Sequence, residues 1–402
     1  KYGDMFTVKL GKQTAIMVQH PEAVKSIFTS KCLHSPGNEN DNLFGFLVGD
    51  NSIFVQSGTR HQRSRQLLMP PFHGERIENY GELICKITKK TMAQWQIGQP
   101  FSIDAFMKKI TLNVILQAVF GLSEGERYQK LKELLSIYLK TMTSPLGGLL
   151  MHLPFLRRDW GYWRVWGRVQ QITSQIDELL YAEISDRRIQ PDPERIDILS
   201  LLMSARDEDG EAMADVELRD QMMTLLIAGH KTSATALTWA FYWIHKHPEV
   251  QEKLLQELDS LSDNAQPMDI FRLPYLSAVC NETLRISPVL MVSLPRMALS
   301  TVEIMGYQFP PDIGFYVHIY LVHRREDLYP EPKQFKPERF LERQFSPFEF
   351  LPFGGGDRRC IGAALAQFEM KLVLATILSA VELELVDDKP VGIKGGGTVI
   401  SS

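Results

Sequence analysis

The sequence predicts a mainly α-helical fold with small β-sheets, an α+β arrangement. Three observations carry that expectation. Apolar residues recur at three- and four-residue steps through much of the chain, as at Tyr80, Leu83, Ile84 and Ile87. The stretch from about Val216 to His245 is apolar on all sides in its middle, and as a helix it would span roughly 45 Å. Strand-like patterns are confined to short parts, about 5–18, 288–320 and 382–402. The 402 residues, 44% hydrophobic and 23% charged, are ample for a large core. No internal repeat or low-complexity linker divides the chain, so one domain over 1–402 is expected.

Taken in order, Phe6, Val8 and Leu10 alternate, Gly11-Lys12 turns, and Ala15 to Val18 returns as a hairpin. Pro21 opens a helix over Glu22 to Phe28, where proline is tolerated. Residues 34–52 hold no clear period and read as a long loop with an apolar patch at Leu43, Phe44, Phe46 and Leu47. A helix dense in cations follows, with Arg60, His61, Arg63 and Arg65. His61 and Arg65 are four apart and share a face, whereas Arg60 and Arg63 point elsewhere and read as solvated. Further helices run through Tyr80–Trp95, from a cap at Asp104 to a stop near Gly121, and from Glu124 to Thr141.

Residues 144–166 are apolar, broken by Pro and Gly, and carry Trp160, Tyr162, Trp163 and Trp166. They read as a packed loop or as the roof of a substrate channel, with membrane-surface contact as a further alternative. An amphipathic helix then extends from about Trp163 to Arg188. The long helix has Ala228-Gly229-His230-Lys231-Thr232-Ser233 at its midpoint. Gly229 weakens the helix there, and the Thr232 hydroxyl can bond the Ala228 carbonyl and widen the turn. The alternative is a plain buried helix with an incidental glycine. His230 and Lys231 make this stretch a buried helix rather than a membrane span.

Glu282 and Arg285 lie three apart on a later helix and can pair. Strands are read at Thr301–Met305, Tyr307–Phe309, Phe315–Tyr320 and near Glu382–Val386, with a closing turn at Gly395-Gly396-Gly397-Thr398. Phe353-Gly354-Gly355-Gly356-Asp357-Arg358-Arg359-Cys360-Ile361-Gly362 is a glycine-rich loop running into an apolar helix. Cys360 at that helix start faces unpaired N–H groups, which favour thiolate. The glycines allow sharp turns and the close approach of a flat ligand, and Arg358 can meet a carboxylate. A thiolate in this setting suits a haem; the alternative is a buried free cysteine.

Phe353, Gly356, Arg358, Cys360 and Gly362 together match the haem-binding signature of the cytochrome P-450 superfamily, and the chain resembles its bacterial, especially cyanobacterial, members. The resemblance extends over essentially the whole chain. Ala228, Gly229 and Thr232 match the superfamily's oxygen-binding helix, but Lys231 stands where an acid is usual. Glu282, Arg285 and Arg339 match the Glu-x-x-Arg motif and its partner, a buried trio that braces the cysteine loop. His61, Arg65, Arg296 and Arg358 match the residues that neutralise haem propionates.

The resemblance implies a haem b monooxygenase with Cys360 as the iron ligand beneath a long central helix. Phe353 would shield the sulfur and Thr232 would serve the bound O2. Its co-substrate is O2, and its electrons come from a separate ferredoxin or flavodoxin with its reductase, docked on Arg60, Arg63, Arg76 and Arg359. The substrate expected is apolar, first a long-chain fatty acid and second a terpenoid, met by segments 43–47, 144–156, 221–229 and 288–294. A peroxide-using enzyme of the same fold and a non-catalytic haem sensor or carrier are the other readings. A net charge of −4 speaks for no nucleic-acid partner, and the scattered Cys32, Cys85, Cys280 and Cys360 for a reducing cytoplasmic setting. A monomer without a signal peptide is expected.

Overall fold

The alternation at Phe6, Val8 and Leu10 forms a hairpin, β1 (Met5–Leu10) antiparallel to β2 (Gln13–Val18). This computed structural model describes residues 3–10, 13–35, 45–142, 144, 147, 148, 150, 165–262 and 264–387. The further strands are β3 (Leu33–His34), β4 (Arg296–Ala298), β5 (Val302–Ile304), β6 (Tyr307–Phe309) and β7 (Gly314–Val317). One sheet has the order β1-β2-β7-β4-β3, and β5 pairs with β6 separately. Only β2 with β7 is parallel in the larger sheet, so segments distant in sequence complete it. Val18, Val24, Ile27, Phe315, Val317 and Ile319 pack as its buried core.

Several boundaries differ from the sequence reading. β3 and β4 are too short to show a period. The expected strand to Tyr320 ends at Val317, because His318 caps a one-turn helix, Ile319–Val322, accepting from the Leu321 N–H. Residues 382–387 form no strand, since no described segment pairs with them. The expected loop over 34–52 includes a helical turn, Gly45–Val48. Leu43, Phe44, the Gly11-Lys12 turn, the 395–398 turn and most of 144–166, including Trp160, Tyr162 and Trp163, lie outside the described residues.

The described chain divides into two compact units: residues 1–36, 72–111 and 231–402, and residues 37–71 and 112–230. The central helix, Asp215–Lys246, has residues in both. Its 32 residues correspond to roughly 48 Å. Residues 233–241 are all buried, and the Thr238 hydroxyl among them donates to the Ala234 carbonyl. The helix runs through 228–232 without interruption. A wide turn lies elsewhere: the helix Ile103–Val114 continues as a π-helix, Ile115–Val119. A Cβ on Gly229 would stand 3.3 Å from the Ile115 Cδ1, so this glycine lets the central helix lie close to the π-turn. Asp104 is not a cap but sits inside the first turn, where it accepts from Lys108.

Within the second unit, the buried Arg187 donates to Glu183, Asp197, Ser200 and the Phe120 carbonyl. These bonds tie the helix Val165–Ile189 to the end of the π-turn.

Candidate active site

The cysteine loop is held shut by its own backbone. The Cys360 N–H donates to the Phe353 carbonyl at 3.0 Å, and the Arg359 N–H to the Gly356 carbonyl at 3.1 Å. The helix Ala363–Leu378 then begins, with the Ala366 N–H on the Gly362 carbonyl. The Cys360 residue is exposed. Gly354 and Gly356 both have φ of +67°, a conformation that favours glycine.

The glycines divide their work in a way that the sequence reading did not anticipate. A Cβ on Gly355 would come within 2.4 Å of the Phe28 ring, and one on Gly356 within 2.8 Å of the Phe28 carbonyl. These two clear the helix Pro21–Thr29 rather than a flat ligand. At Gly354 and Gly362 an added Cβ would meet nothing within 4 Å. The Arg296 guanidinium lies 5.6 Å from the centre of the same Phe28 ring. It donates to the Gly355 carbonyl, to Asp357 at 3.1 Å and to the Ser35 hydroxyl. Burial pushes the Arg296 pKa down, and the Asp357 carboxylate works against that shift. Phe28 and Asp357 thus join Arg296 and the loop, and neither carried a local signal.

Glu282, Arg285 and Arg339 come together in the buried interior. Arg285 Nε and Nη2 donate to the two Glu282 carboxylate oxygens at 2.6 and 2.8 Å, and Arg339 Nε donates to Glu282 at 3.1 Å. Arg285 also donates to the carbonyls of His323, Pro332 and Gln334. The buried His323 accepts the Leu351 N–H at its Nε2, 3.0 Å away. Leu351 is two residues before Phe353, so a chain of hydrogen bonds runs from the trio to the base of the cysteine loop. Burial first, and then the charge of Arg285, pushes the His323 pKa down to about 3, so the ring is neutral and can accept.

On the central helix, Leu225, Ala228, Gly229 and Thr232 are half-buried at spacings of three and four, which sets them along one face. Lys231 is also half-buried. Burial lowers its pKa, Lys108 lowers it further, and Asp104 opposes both. The hydroxyl of Ser233, the next residue but one, works to lower the pKa of Glu369 on the helix Ala363–Leu378. Glu369 is 5% exposed, and burial pushes its pKa up to about 7. Its one sequence signal was a charge, shared with Lys371, inside a largely apolar helix.

His61 is buried and Arg65 half-buried on the helix Gly58–Leu68 of the second unit. Arg63 corrects the expectation of a solvated cation: it donates to Asp207, Glu217 and the Ala212 carbonyl. Arg60, Arg76 and Arg359 are exposed.

The family model for cytochrome P450 matches residues 1–400. The chain belongs to the cytochrome P450 family. The putative cytochrome P450 135B1 of Mycobacterium tuberculosis is 37% identical over 385 residues, covering 95% of this chain and 79% of that one. The putative cytochrome P450 138 of Mycobacterium bovis is 34% identical over 389 residues, 96% of this chain and 83% of that one. A cyanobacterial CYP120A1 with bound retinoic acid matches 94% of this P450 and covers 84% of its own chain, with a TM-score of 0.80 and 26% identity. The heme domain of cytochrome P450DA shares the fold, with a TM-score of 0.82 at 22% identity over 98% of this chain and 87% of that one.

The chain is therefore a P450 monooxygenase that uses haem and O2, and its family works with redox partners on apolar substrates. Among the described residues, no helix is long and apolar enough to cross a membrane. The loop fits the cofactor. Beyond the exposed Cys360, residues 361–366 are apolar or glycine, yet only half-buried, while the later turns of the same helix are buried. A flat apolar ligand held by the sulfur would cover that open turn.

Proposed function

We propose that this P450 hydroxylates a long-chain, apolar carboxylic acid, first among them a fatty acid, with electrons from a ferredoxin or flavodoxin. The observation that carries the substrate class is the half-buried face of Leu225, Ala228, Gly229 and Thr232, which offers carbon and a single hydroxyl. Met291 and Val292 are likewise half-buried, and Leu290 and Leu294 are exposed. The retinoic acid of the cyanobacterial neighbour is an apolar chain ending in a carboxylate, which supports the same outline and makes a terpenoid acid the second reading.

Haem held by thiolate supplies the reductive activation of O2. Cys360 is the sulfur ligand, and Phe353 at the mouth of the loop keeps water from it. His61, Arg65, Arg296 and Arg358 neutralise the propionates, whose burial would otherwise be costly. Thr232 holds or passes a proton at its Oγ1, while Gly229 and Ala228 leave room beside it. Lys231, where an acid is usual, donates hydrogen bonds but as a cation accepts no proton. Glu282, Arg285 and Arg339 keep the loop in place. The exposed Arg76 and Arg359, both of the first unit, attract an acidic partner.

Two experiments test this. The reduced, CO-bound protein should show a strongly red-shifted Soret band that Cys360→Ser loses; a normal Soret position would remove the thiolate. Titration with palmitate should shift the ferric spectrum towards high spin. A response to a terpenoid acid and none to palmitate would transfer the assignment to the second reading. Reduction by the partner should slow with salt and in Arg359→Glu, and indifference to both would end the docking proposal.

A further inference from the structure

Arg296 is a buried cation that spends nearly all of its hydrogen bonds on protein. Its Nη1 donates to the Ser35 hydroxyl at 3.2 Å and to the Pro295 carbonyl at 3.3 Å. Its Nη2 donates to the Gly355 carbonyl at 3.2 Å and to Asp357 Oδ1 at 3.1 Å. Nε has no hydrogen-bond partner among the described residues and is the N–H left for a haem propionate. We propose that Asp357 is a positioning residue for the haem site: it pins Arg296 to the cysteine loop and, through that cation, keeps the reduction potential of the iron low. This rests on the reading of Cys360 and Arg296 given above.

Asp357 stands in the turn Gly356–Arg358, three residues before Cys360. The Arg359 N–H on the Gly356 carbonyl and the Cys360 N–H on the Phe353 carbonyl lock that turn to the segment that bears the sulfur. Arg296 grips the loop at two points, Gly355 and Asp357. It belongs to β4, which pairs with β3 and β7, so the grip joins the loop to the larger sheet. The Phe28 ring, with its centre 5.6 Å away, backs the guanidinium.

The two partners differ sharply in exposure. The Arg296 side chain is 4% exposed and that of Asp357 59%. A cation stripped of water needs an anion, whereas an exposed carboxylate is screened by solvent. The pair therefore matters through the arginine. Burial pushes the Arg296 pKa down, and Asp357 is the one charged group that acts against it. Without Asp357 the cation has a propionate alone to offset it, and the site gains net positive charge. That favours reduced iron, which carries one positive charge fewer. No bond forms or breaks; only the equilibrium of the single electron supplied by the redox partner moves.

The test is a spectroscopic redox titration of the haem-loaded protein. Asp357→Asn keeps the shape and an acceptor oxygen but removes the charge. The reduction equilibrium should move roughly ten-fold towards reduced iron, a rise of about 59 mV for one electron. Asp357→Glu should return the potential most of the way to wild type. Arg296→Gln should lower the potential, and adding Asp357→Asn to it should change little more, because the carboxylate then acts only through solvent. Asp357→Ser removes the same charge should the asparagine variant not retain haem. A wild-type potential in the charge-removing variants, with Arg296→Gln shifted, overturns the role of Asp357 and leaves Arg296 at the haem. Wild-type potentials in all of them overturn both. A shift in Asp357→Glu as large as in Asp357→Asn also overturns the proposal, because charge would not be its cause.

Discussion

Glu282 and Glu369 are both buried glutamates in the first unit, and they have opposite surroundings. Glu282 receives Arg285, Arg339 and the Lys336 N–H, so both of its oxygens, stripped of water by burial, find charged or backbone donors. Glu369 has only the Ser233 hydroxyl working against its burial, and its Oε1 has no hydrogen-bond partner among the described residues. Burial alone therefore does not say whether an acid is structural or chemical; the number and charge of its partners does. A carboxylate clamped between two guanidinium groups is fixed in one state. A carboxyl with one weak partner can change state near neutral pH.

That contrast can be broken at Glu282 first. Glu282→Gln leaves Arg285 and Arg339 buried without their anion and should cost about 3–5 kcal/mol, read from the urea midpoint of the holoenzyme. A loss below about 1 kcal/mol would mean that the carbonyl acceptors alone hold the arginines.

Glu369→Gln should act in the other direction. Its folded pKa of about 7 lies above its ordinary value of 4.5. Wild-type stability is then full below about 4.5, falls as pH rises, and above about 7 carries a penalty on the order of 3 kcal/mol at most. Glutamine never ionises, so the variant should match the wild type in acid and exceed it in mild base. Equal stability of the two proteins above pH 7 would place Glu369 with Glu282 as a compensated acid.

His323 sharpens the comparison from the side of a base. Burial depresses its pKa from 6.5 to about 3, so its contribution is present above 6.5 and lost as pH falls towards 3. The first pH unit below 6.5 should cost about 1 kcal/mol, and His323→Gln should flatten that part of the stability profile. An unchanged slope would mean that the ring gains a proton without leaving its place. The smallest effect belongs to the surface. Arg188 is 41% exposed by side chain and pairs with Asp215, 49% exposed, so Arg188→Ala should change stability by less than about 1 kcal/mol. A larger loss would mean that its bond to the Met213 carbonyl matters more than the ion pair.

Much of the fold was legible because helices declare themselves locally. The period through Tyr80 to Ile87 and the apolar run through the central helix placed Gly81–Met92 and Asp215–Lys246 within a few residues. The two- and three-residue strands β3 and β4 could not be read, since a period of two needs more residues than they have. Of the candidate site, Cys360 stood out as the end of a glycine-rich loop before an apolar helix, and the Glu282–Arg285 pair through its match to the superfamily motif. Phe28 did not, because nothing near it in sequence indicates that Gly355 and Gly356 will close on it. Arg63 looked like a solvated cation because Asp207 and Glu217 are distant in the chain.

The sequence by itself determined which segments are helical, where the thiol lies, and that position 231 is a lysine in place of an acid. These are short-range properties of spacing, propensity and residue chemistry. The tertiary structure decided which charges are compensated, that Arg296 meets Asp357 and Gly355, that His323 is neutral beneath Leu351, and that Glu369 is buried with its Oε1 unpartnered among the described residues. Those facts depend on long-range packing, which sets both the water a group loses and the partners it gains. No local pattern encodes that balance.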